Sequence, residues 1–405
     1  MDFRLFDTRG IGEPQQEENM GPSAIDREYL VRTLADLTRI NSINPSLVPG
    51  APGEAEAAAY VKEALARLGL DVMVLESTPG RPSVVGILHG SGGGRSLMLN
   101  GHLDTVGVEG MPEGLTPVTR DGRMYGRGTF DMKGGLTACL AAAKAVGDSR
   151  LPLRGDLVVA AVADEEYASI GTAEVAARVH VDGAIVTEAT DLDLCIAHKG
   201  FVWLEVETTG RAAHGSRFQE GIDANMRMGR VLAELDRLEQ ALRARPPHPL
   251  VGPPSLHAAV LQGGTELSTY AARSTLKIER RTVPGERLGQ IEAEIQGILD
   301  RLSAADPTFR GSLRTLLERM PFECPPEARL VATLQRSATA HRGKPSAYFG
   351  AAYWMDTAIL AGAGVEAAVI GPTGGGAHTV EEWVDLESVA DTAAILALAA
   401  ASYCG

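Results

Sequence analysis

The sequence predicts an α/β protein: a large domain with a mixed, mostly parallel sheet flanked by helices on both faces, plus an inserted α+β sandwich. Three observations predict this fold. Helical segments alternate with short apolar strands in the first half of the chain, and the same alternation returns near the C-terminus. Between these halves lie strands in which apolar and polar residues alternate, as they do where one face of a sheet is solvated. We therefore expect one sheet whose sequence is interrupted by a second domain.

The domain organisation follows from the same patterns. Residues 1–22 are polar and contain a Gln-Gln-Glu-Glu run, which is typical of a flexible N-terminal arm. Residues 23–199 and 321–405 are expected to form the two parts of the catalytic domain, which we call the main domain. Residues 200–320 are expected to form the inserted domain, for which the family resemblance described below implies a role as lid or dimerisation module.

Two helices and a set of buried strands are predicted in the main domain. Ser23, with an acidic residue three positions later, is typical of a capping box that begins an amphipathic helix. A second helix ends at Gly69, where a C-cap glycine is expected. The predicted strands read "DVMVLES", "SVVGILHG", "LMLNGH", "LVVAAVA", "AIVTEA" and, after the inserted domain, "EAAVIGP".

The inserted domain shows a different pattern. "FVWLEVETTG" alternates apolar and polar residues and predicts a strand with one solvated face. A helix over about 222–242, two strands, a helix over about 286–302 and the strand "SLRTLLERM" follow. The order β-α-β-β-α-β is that of a ferredoxin-like sandwich.

Composition excludes several classes of partner. The chain has 405 residues and a net charge of −14, without a basic cluster that could follow a phosphate backbone, so nucleic acid is not expected to bind. The four cysteines show no metal-binding or disulfide spacing. We find neither an apolar run of about eighteen residues nor a signal-peptide core, so no membrane partner is expected and a cytoplasmic location is predicted.

Residues able to bind metal ions follow the predicted strands or lie in loops beside them. Zinc binds imidazole nitrogen and carboxylate oxygen, and both kinds of ligand occur at these points. Because ligands in open α/β sheets lie at the carboxyl ends of strands, we expect these side chains to converge. The candidates are His102, Asp131, Glu165, Glu166, Glu188 and His378.

The charges of these candidates match two metal ions. If one ion is held by His102, Asp131 and Glu188, and another by Asp131, Glu166 and His378, then Asp131 bridges them. Two dications, three carboxylates and a shared hydroxide sum to zero charge. Such a pair can activate water and polarise a carbonyl group, which suits hydrolysis of an amide.

The alternatives for single residues are plain structural ones. A lone glutamate is often a surface residue, and a lone histidine is often a hydrogen-bonded core residue. Adjacent residues at a strand end point in opposite directions, so we assign Glu166 to the metal and Glu165 to the general base. Asp104, two residues after His102, is expected to orient that imidazole.

Six motifs in a fixed order support these assignments by resemblance. They resemble the zinc-dependent deacylase and exopeptidase family that includes acetylornithine deacetylase, succinyl-diaminopimelate desuccinylase, aminoacylase and glutamate carboxypeptidase. The resemblance implies the same ligands and base, a bridging Asp131, a cis peptide bond after it, and two divalent ions, zinc first and cobalt or manganese as alternatives. The motifs are "NGHLDTVG", "GRGTFDMKGG", "DEEYASIGT", "VTEAT", "GRAAHGS" and "GAHTVEEWV".

The resemblance also implies roles for residues outside the metal set. His214 matches a histidine that, in dimeric members, reaches the substrate carbonyl of the partner subunit, which implies a homodimer. Arg281 matches an arginine that binds the substrate carboxylate, and its neighbour Arg280 is expected to be solvated on the other face. Gly375 and Gly376 either offer N–H groups to an anionic substrate or form a tight turn.

The implied function is removal of the acyl group from a small N-acyl amino acid. A metallo-carboxypeptidase or dipeptidase is the alternative, because the same two-metal chemistry cleaves both kinds of amide. A non-catalytic metal-binding scaffold is a third hypothesis. All six proposed metal and base positions are filled in this chain, which disfavours the scaffold.

Overall fold

The computed structural model describes residues 22–149 and 151–405, so residues 1–21 of the predicted arm lie outside the described part. The helices are α1 (Arg27–Arg39), α2 (Ala55–Arg67), α3 (Gly134–Ser149), α4 (Ile170–Arg178), α5 (Ala224–Arg243), α6 (Leu288–Ala305), α7 (Arg329–Arg342), α8 (Thr357–Gly362) and α9 (Leu386–Cys404). A π-helical turn, Thr129–Lys133, directly precedes α3.

The strands divide between three sheets. They are β1 (Asp71–Leu75), β2 (Ser83–Leu88), β3 (Leu97–His102), β4 (Val118–Arg120), β5 (Arg123–Tyr125), β6 (Leu157–Val162), β7 (Gly183–Val186), β8 (Leu194–His198), β9 (Gly200–Thr209), β10 (Ser255–Gly263), β11 (Arg273–Thr282), β12 (Gly311–Arg319), β13 (Phe322–Glu323), β14 (Tyr348–Ala351), β15 (Glu366–Val369), β16 (Gly374–Gly375) and β17 (Trp383–Asp385).

The main sheet has nine strands in the order β1-β2-β6-β3-β7-β15-β8-β13, with β14 paired to β8. Its centre is parallel, since β3 pairs with both β6 and β7, and β15 pairs with β7. Toward its margins β1, β2 and β13 pair antiparallel with their neighbours, while β14 pairs parallel with β8. The predicted mixed sheet is therefore confirmed, and its central strands are buried along their whole length because helices cover both faces.

Helix α9 lies in the core of the main domain. By length and composition alone it could cross a membrane, but most of it is buried, and it packs against α3 and α7. Its long apolar surface therefore forms part of the hydrophobic core of the main domain. The cytoplasmic location stays a prediction.

The inserted sheet has the order β10-β11-β9-β12 and is antiparallel throughout. One face carries Val202, Leu204 and Val206, which pack against apolar residues of α5 and α6. The other face is partly exposed, as the alternation in the sequence predicts. The element order β-α-β-β-α-β is the predicted one, while the domain bounds themselves stay a prediction.

A third sheet was not predicted. The short strands β16-β17-β5-β4 form it and join the C-terminal part of the main domain to the segment before Asp131. The predicted capping box at Ser23 was wrong. Asp26 is the N-cap of α1, because its carboxylate lies next to the first turn and accepts a hydrogen bond from the Tyr29 N–H at 2.9 Å.

Candidate metal centre

Three parallel strands end at the same edge of the main sheet and supply most of the candidate ligands. His102 is the last residue of β3, and Glu165 and Glu166 follow β6. Glu188 lies two residues beyond the end of β7. Because β3 is the neighbour of both β6 and β7, the parallel arrangement brings these side chains together.

Asp131 reaches the same place from the π-helical turn before α3. The turn begins after Gly128, whose φ of +81° favours glycine. The peptide bond between Asp131 and Met132 is cis, as the resemblance implied. Asp131 therefore comes from a tightly folded loop rather than from the first turn of a regular helix.

The buried Glu382 carboxylate fixes that loop. One oxygen accepts hydrogen bonds from the N–H groups of Phe130 and Asp131 at 2.9 and 3.0 Å. The other accepts from the Gly128 N–H at 3.1 Å and from the Arg127 guanidinium at 2.6 Å. The sequence analysis missed this role, although Glu382 lies in the "AHTVEEWV" motif, four residues after His378.

The two carboxylate oxygens of Asp131 face two different histidines. Oδ1 is 3.3 Å from His102 Nε2, and Oδ2 is 3.3 Å from His378 Nε2. Glu188 Oε1 lies 3.5 Å from His102 Nε2, whereas Glu166 Oε2 lies 3.0 Å from His378 Nε2. The five side chains therefore form two adjoining groups that share one aspartate.

His102 is oriented by the backbone of Asp104. Its Nδ1 is 2.9 Å from the Asp104 carbonyl oxygen, which fixes the tautomer and leaves Nε2 free to bind a metal ion. The Asp104 carboxylate is 3.6 Å from Nδ1 and instead accepts hydrogen bonds from the N–H groups of Glu165 and Glu166. Asp104 thus positions the glutamate pair as well as the histidine.

The argument that separated Glu165 from Glu166 was wrong. These residues lie in a turn that follows Asp164, whose φ is +68°, so the strand alternation no longer applies. Both side chains line the same cavity. Glu165 Oε2 is 3.8 Å from His102 Nε2, so Glu165 lies beside the group formed by His102, Asp131 and Glu188.

A buried polar network supports this turn from behind. Asn44 donates hydrogen bonds to Asp104 at 2.8 Å and to Asp164 at 3.0 Å. Arg81 bonds to Asp164 at 2.8 Å and forms a two-pronged ion pair with the fully buried Glu54. These contacts join segments up to 120 residues apart, and no local sequence pattern indicated them.

The electrostatics of the centre suit cations. Burial, and then the negative charge of Asp131, raises the pKa of Glu166 to about 7 and that of Glu188 well above its usual value. Hydrogen bonds to Asp131 and Glu166 raise the pKa of His378 to about 10. Metal ions bound to these carboxylates would take the place of protons and would compensate the buried negative charge.

The donor set fits two ions. Potential ligand atoms of His102, Glu165 and Glu188 lie within 4.8 Å of one another, as do those of His102, Asp131 and Glu166. Glu166 Oε1 is buried without a hydrogen-bond partner in the described part of the chain. A metal ion is the partner that would satisfy such a carboxylate oxygen.

The residues predicted in the inserted domain lie apart from this centre. His214 is exposed, and its Nδ1 is 2.8 Å from Ser216 Oγ. Arg281 is partly exposed on the outer face of the inserted sheet, where it bonds to Glu279 at 2.7 Å. Neither residue lines the cavity beside the ligands.

Arg280 corrects one expectation. It points to the opposite face from Arg281, as predicted, but it is fully buried and paired with Glu286 rather than solvated. The reason is that α5 and α6 cover that face. Lys199, at the boundary between the domains, donates a hydrogen bond to the Pro253 carbonyl at 2.6 Å.

Gly375 and Gly376 precede His378 and do not line the cavity. Gly375 pairs with Trp383 in the third sheet. Gly376 has a φ of +80°, and a Cβ there would lie 1.8 Å from the Glu381 carbonyl oxygen. Backbone geometry therefore accounts for Gly376, and its role toward substrate stays a prediction.

The model of peptidase family M20/M25/M40 matches residues 98–402. N-formyl-4-amino-5-aminomethyl-2-methylpyrimidine deformylase of Bacillus subtilis (strain 168) is 31% identical over 273 residues, which cover 62% of this chain and 63% of that protein. Acetylornithine deacetylase of Myxococcus xanthus is 29% identical over 330 residues, covering 80% of this chain and 84% of that protein.

Solved structures share the fold at low identity. A tripeptidase from Staphylococcus aureus has a TM-score of 0.77 and 18% identity, with 94% of this chain and 100% of that chain covered. A dinuclear metal-binding peptidase of the M20 family from Bacillus subtilis has a TM-score of 0.72 and 12% identity, with 93% and 98% covered. The likeness extends over both the main and the inserted domain.

Proposed function

Because the chain belongs to peptidase family M20/M25/M40, we propose that it is a dinuclear metal-dependent amidohydrolase that removes the acyl group from an N-acyl amino acid. The observation that carries the proposal is the arrangement of Asp131 between two histidines, at 3.3 Å from each. A carboxylate with one oxygen toward each of two donor groups is suited to bridging two ions.

His102, Asp131 and Glu188 would hold one ion, and Asp131, Glu166 and His378 the other. Nitrogen and carboxylate oxygen donors suit zinc, with cobalt or manganese as the alternatives for metal analysis. When bound there, the ions would supply Lewis acidity for the amide carbonyl and would lower the pKa of the attacking water.

Glu165 is proposed as the general base. It lines the cavity next to the ligands, and the Asp104 carboxylate holds its backbone N–H at 3.1 Å. Burial raises its pKa well above the usual value, which makes its carboxylate a stronger base toward the proton of water, a proton that it then gives to the leaving amine. Its distance of 3.8 Å from His102 Nε2 keeps it within reach of the reacting atoms.

The inserted domain is proposed to complete the site from a second copy of the chain. His214 does not line the cavity of its own chain and is exposed. The inserted sheet also ends in β10, an edge strand with Val260 and Leu261 exposed by 44% and 55%. An apolar edge strand is suited to pairing with another copy. We infer a homodimer in which His214 stabilises the oxyanion of the partner's substrate and Arg281 binds a substrate carboxylate.

The proposal is tested by metal analysis and a substrate screen. The purified protein, loaded with zinc, cobalt or manganese, is assayed with N-acyl amino acids and with dipeptides, before and after treatment with a chelator. We expect about two ions per chain, hydrolysis of N-acyl amino acids, and loss of activity on chelation that metal restores. Cleavage of dipeptides alone would favour the peptidase alternative, and full activity without metal would overturn the proposal.

The role of Glu165 has its own test. We expect Glu165→Gln to lower kcat by roughly a hundredfold or more while the metal content stays near two, because a neutral amide takes no proton from water. Glu56→Gln, an exposed position on α2, is the matched control and should retain wild-type turnover. A substantial rate in Glu165→Gln would remove Glu165 from the mechanism.

A further inference from the structure

The short segment after α1, residues 40–44, contacts three of the pieces of chain that carry candidate ligands. The first piece is the end of β3. The Thr105 N–H donates a hydrogen bond to the Ser42 carbonyl at 3.0 Å, and the Asn44 N–H donates to the Thr105 carbonyl at 2.9 Å. Because Thr105 directly follows Asp104, these bonds attach the segment to the chain that leaves β3.

The second piece is the loop of Asp131. The buried ammonium group of Lys133, two residues further on, donates to the carbonyl oxygens of Leu37 and Ile40 at 2.8 and 3.0 Å. A cation is favourable at this place because the last carbonyl groups of a helix carry partial negative charge. The end of α1 therefore binds the loop that carries the proposed bridging carboxylate.

The third piece is the turn after β6, which the Asn44 side chain reaches through two carboxylates. The Asn44 Nδ2 group donates to Asp104 Oδ2 at 2.8 Å and to Asp164 Oδ1 at 3.0 Å, so both of its hydrogens are used. Its Oδ1 accepts a hydrogen bond from the Ser46 N–H at 2.9 Å. Asn44 is fully buried, and these three bonds pair every polar atom of its side chain.

The two carboxylates beside the Asn44 amide hold the turn that carries the glutamate pair. Asp164 has a φ of +68°, which is unfavourable for a residue with a side chain. The Asp104 carboxylate accepts hydrogen bonds from the N–H groups of Glu165 and Glu166 at 3.1 and 3.2 Å. Without the donor between them the two carboxylates would repel each other, so loss of that donor would displace the turn.

On the basis of the proposed amidohydrolase function, we propose that Asn44 is a positioning residue that acts through Glu165. Asn44 does not line the cavity, so it affects the reaction through the turn and not through contact with substrate. Its amide fixes the spacing of Asp104 and Asp164, and this spacing sets the distance of Glu165 from the proposed metal ligands. Loss of the amide should lower kcat and leave KM nearly unchanged, because Glu165 takes its proton in the chemical step and not in substrate binding.

Asn44→Ala tests this role by removing both donor hydrogens. We expect kcat to fall about tenfold to a hundredfold, as is typical for residues that orient the groups around a metal site, with KM within about twofold of wild type and about two ions per chain. Asn44→Ser keeps one hydroxyl donor in place of two N–H groups and should lose less. The serine variant replaces Asn44→Ala in these experiments if the alanine variant does not fold.

A change of charge at the same position has a matched control three residues earlier. Asn44→Asp keeps the shape of asparagine but directs only acceptor atoms at two carboxylates, so we expect a larger loss of kcat than in Asn44→Ala. Asn41 is partly exposed, and its Oδ1 accepts a hydrogen bond from the Ile43 N–H at 3.2 Å. A carboxylate oxygen accepts this bond equally well, so Asn41→Asp should keep the wild-type kcat.

A double-mutant cycle separates positioning of Glu165 from a merely structural role. Asn44→Ala is combined with Glu165→Gln, and each kcat is normalised to the folded, metal-loaded fraction measured by circular dichroism and elemental analysis. If Asn44 acts through Glu165, the double variant should turn over within about twofold of Glu165→Gln alone, because the base is already absent. A structural role would make the two losses multiply.

The outcomes distinguish this proposal from the proposed function. If metal-loaded wild type cleaves neither N-acyl amino acids nor dipeptides, the proposed function itself fails. If wild type is active but the folded Asn44 variants keep its kcat, Asn44 is not a positioning residue and the amidohydrolase stands. Losses that multiply in the cycle, or a change confined to KM, also overturn the role of Asn44.

Discussion

The candidate site residues of the main domain lie close together, whereas those of the inserted domain lie apart from the cavity. In the main domain, the ends of three parallel strands, the folded loop of Asp131 and the turn between β16 and β17 bring five side chains together. Buried hydrogen bonds hold the loop of Asp131 and the turn of Glu166. In the inserted domain, His214 is exposed and Arg281 is partly exposed, and neither lines the cavity.

This difference has a physical reason. Metal ligands bind best when hydrogen-bonded neighbours hold them in the right orientation, and the main domain supplies such neighbours. A residue that contacts the substrate from a separate domain needs to be in place only in the complex. The main domain therefore brings its candidate metal ligands together within one chain, whereas we infer that the inserted domain contributes its residues to the site of a second copy.

The largest expected effect tests the main domain. Asp131→Asn replaces one of the two carboxylate oxygens by an NH2 group, which does not bind a cation. Only one of the two ions then keeps a ligand from this residue, so we expect the metal content to fall from about two toward one per chain. Activity should fall on the order of a thousandfold or more, because two-metal activation of water and carbonyl is lost. Elemental analysis and steady-state turnover measure both. Asp121→Asn serves as the control, because Asp121 is exposed in the turn between β4 and β5. Two tightly held ions in Asp131→Asn would contradict a bridging role of Asp131.

The next effect tests the inserted domain through complementation. His214→Ala alone should lose about a hundredfold to a thousandfold in kcat if it removes a donor to the oxyanion. When this variant is mixed with Glu165→Gln under conditions of subunit exchange, half of the dimers become mixed. Each mixed dimer contains one intact site, so about a quarter of wild-type activity should return. Without any recovery, His214 does not act across a dimer.

The sequence predicted well that the candidate ligands converge, because they follow strong local patterns. Apolar strands followed by His102, Glu166 or Glu188 can be read without tertiary information, and parallel topology then makes the strand ends converge. The first strand of the inserted domain was readable for the same reason, because β9 alternates apolar and polar residues over Val202 to Val206.

What the sequence could not provide was the arrangement behind these patterns. The positive φ at Asp164 turns Glu165 and Glu166 toward one cavity, and strand alternation gives no sign of it. The alternation of side chains along β11 correctly predicted that Arg280 and Arg281 lie on opposite faces of the sheet. It did not indicate which of these faces α5 and α6 would cover. The role of Glu382 depends on hydrogen bonds to residues more than 250 positions earlier.

A smaller effect concerns the junction between the two domains. His198 ends β8, two residues before β9 begins, and is fully buried with its Nε2 2.9 Å from Thr357 Oγ1. Burial lowers the pKa of His198 from 6.5 to about 4. The unfolded chain therefore binds a proton at a higher pH than the folded chain does, so stability is lost as pH falls from about 6.5 to about 4.

The size of this loss is bounded by the shift, at about 3 kcal/mol. His198→Gln should be less stable than wild type at pH 7 but should lose less further stability on acidification. Denaturant unfolding at several pH values between 7 and 4 measures the difference in slope. His180→Gln, at an exposed position, should keep the wild-type slope. Equal slopes in wild type and His198→Gln would show that this imidazole is not a source of acid lability.

Glu382 tests whether the main domain depends on support behind its ligands. Glu382→Gln replaces a carboxylate that holds three N–H groups and Arg127, so the loop of Asp131 loses part of its support. We expect metal affinity or kcat to fall about tenfold to a hundredfold, as is typical for residues that support metal ligands. The adjacent Glu381→Gln, exposed and 3.8 Å from Arg120, is the control and should change little. Unchanged metal binding in Glu382→Gln would mean that the loop is held by its own backbone.

Arg281 should give the smallest of these effects, confined to substrates with a carboxylate. Lysine keeps the positive charge of Arg281 but loses the two-pronged geometry, so Arg281→Lys should raise KM about tenfold with little change in kcat. Arg273→Lys is a close control, because both arginines lie on the same face of β11 and Arg273 pairs with Glu207 at its far end. Replacing the substrate carboxylate by a carboxamide should remove the difference between Arg281→Lys and wild type. If the variant remains impaired with the carboxamide, Arg281 supports the inserted sheet through Glu279 and does not bind the carboxylate.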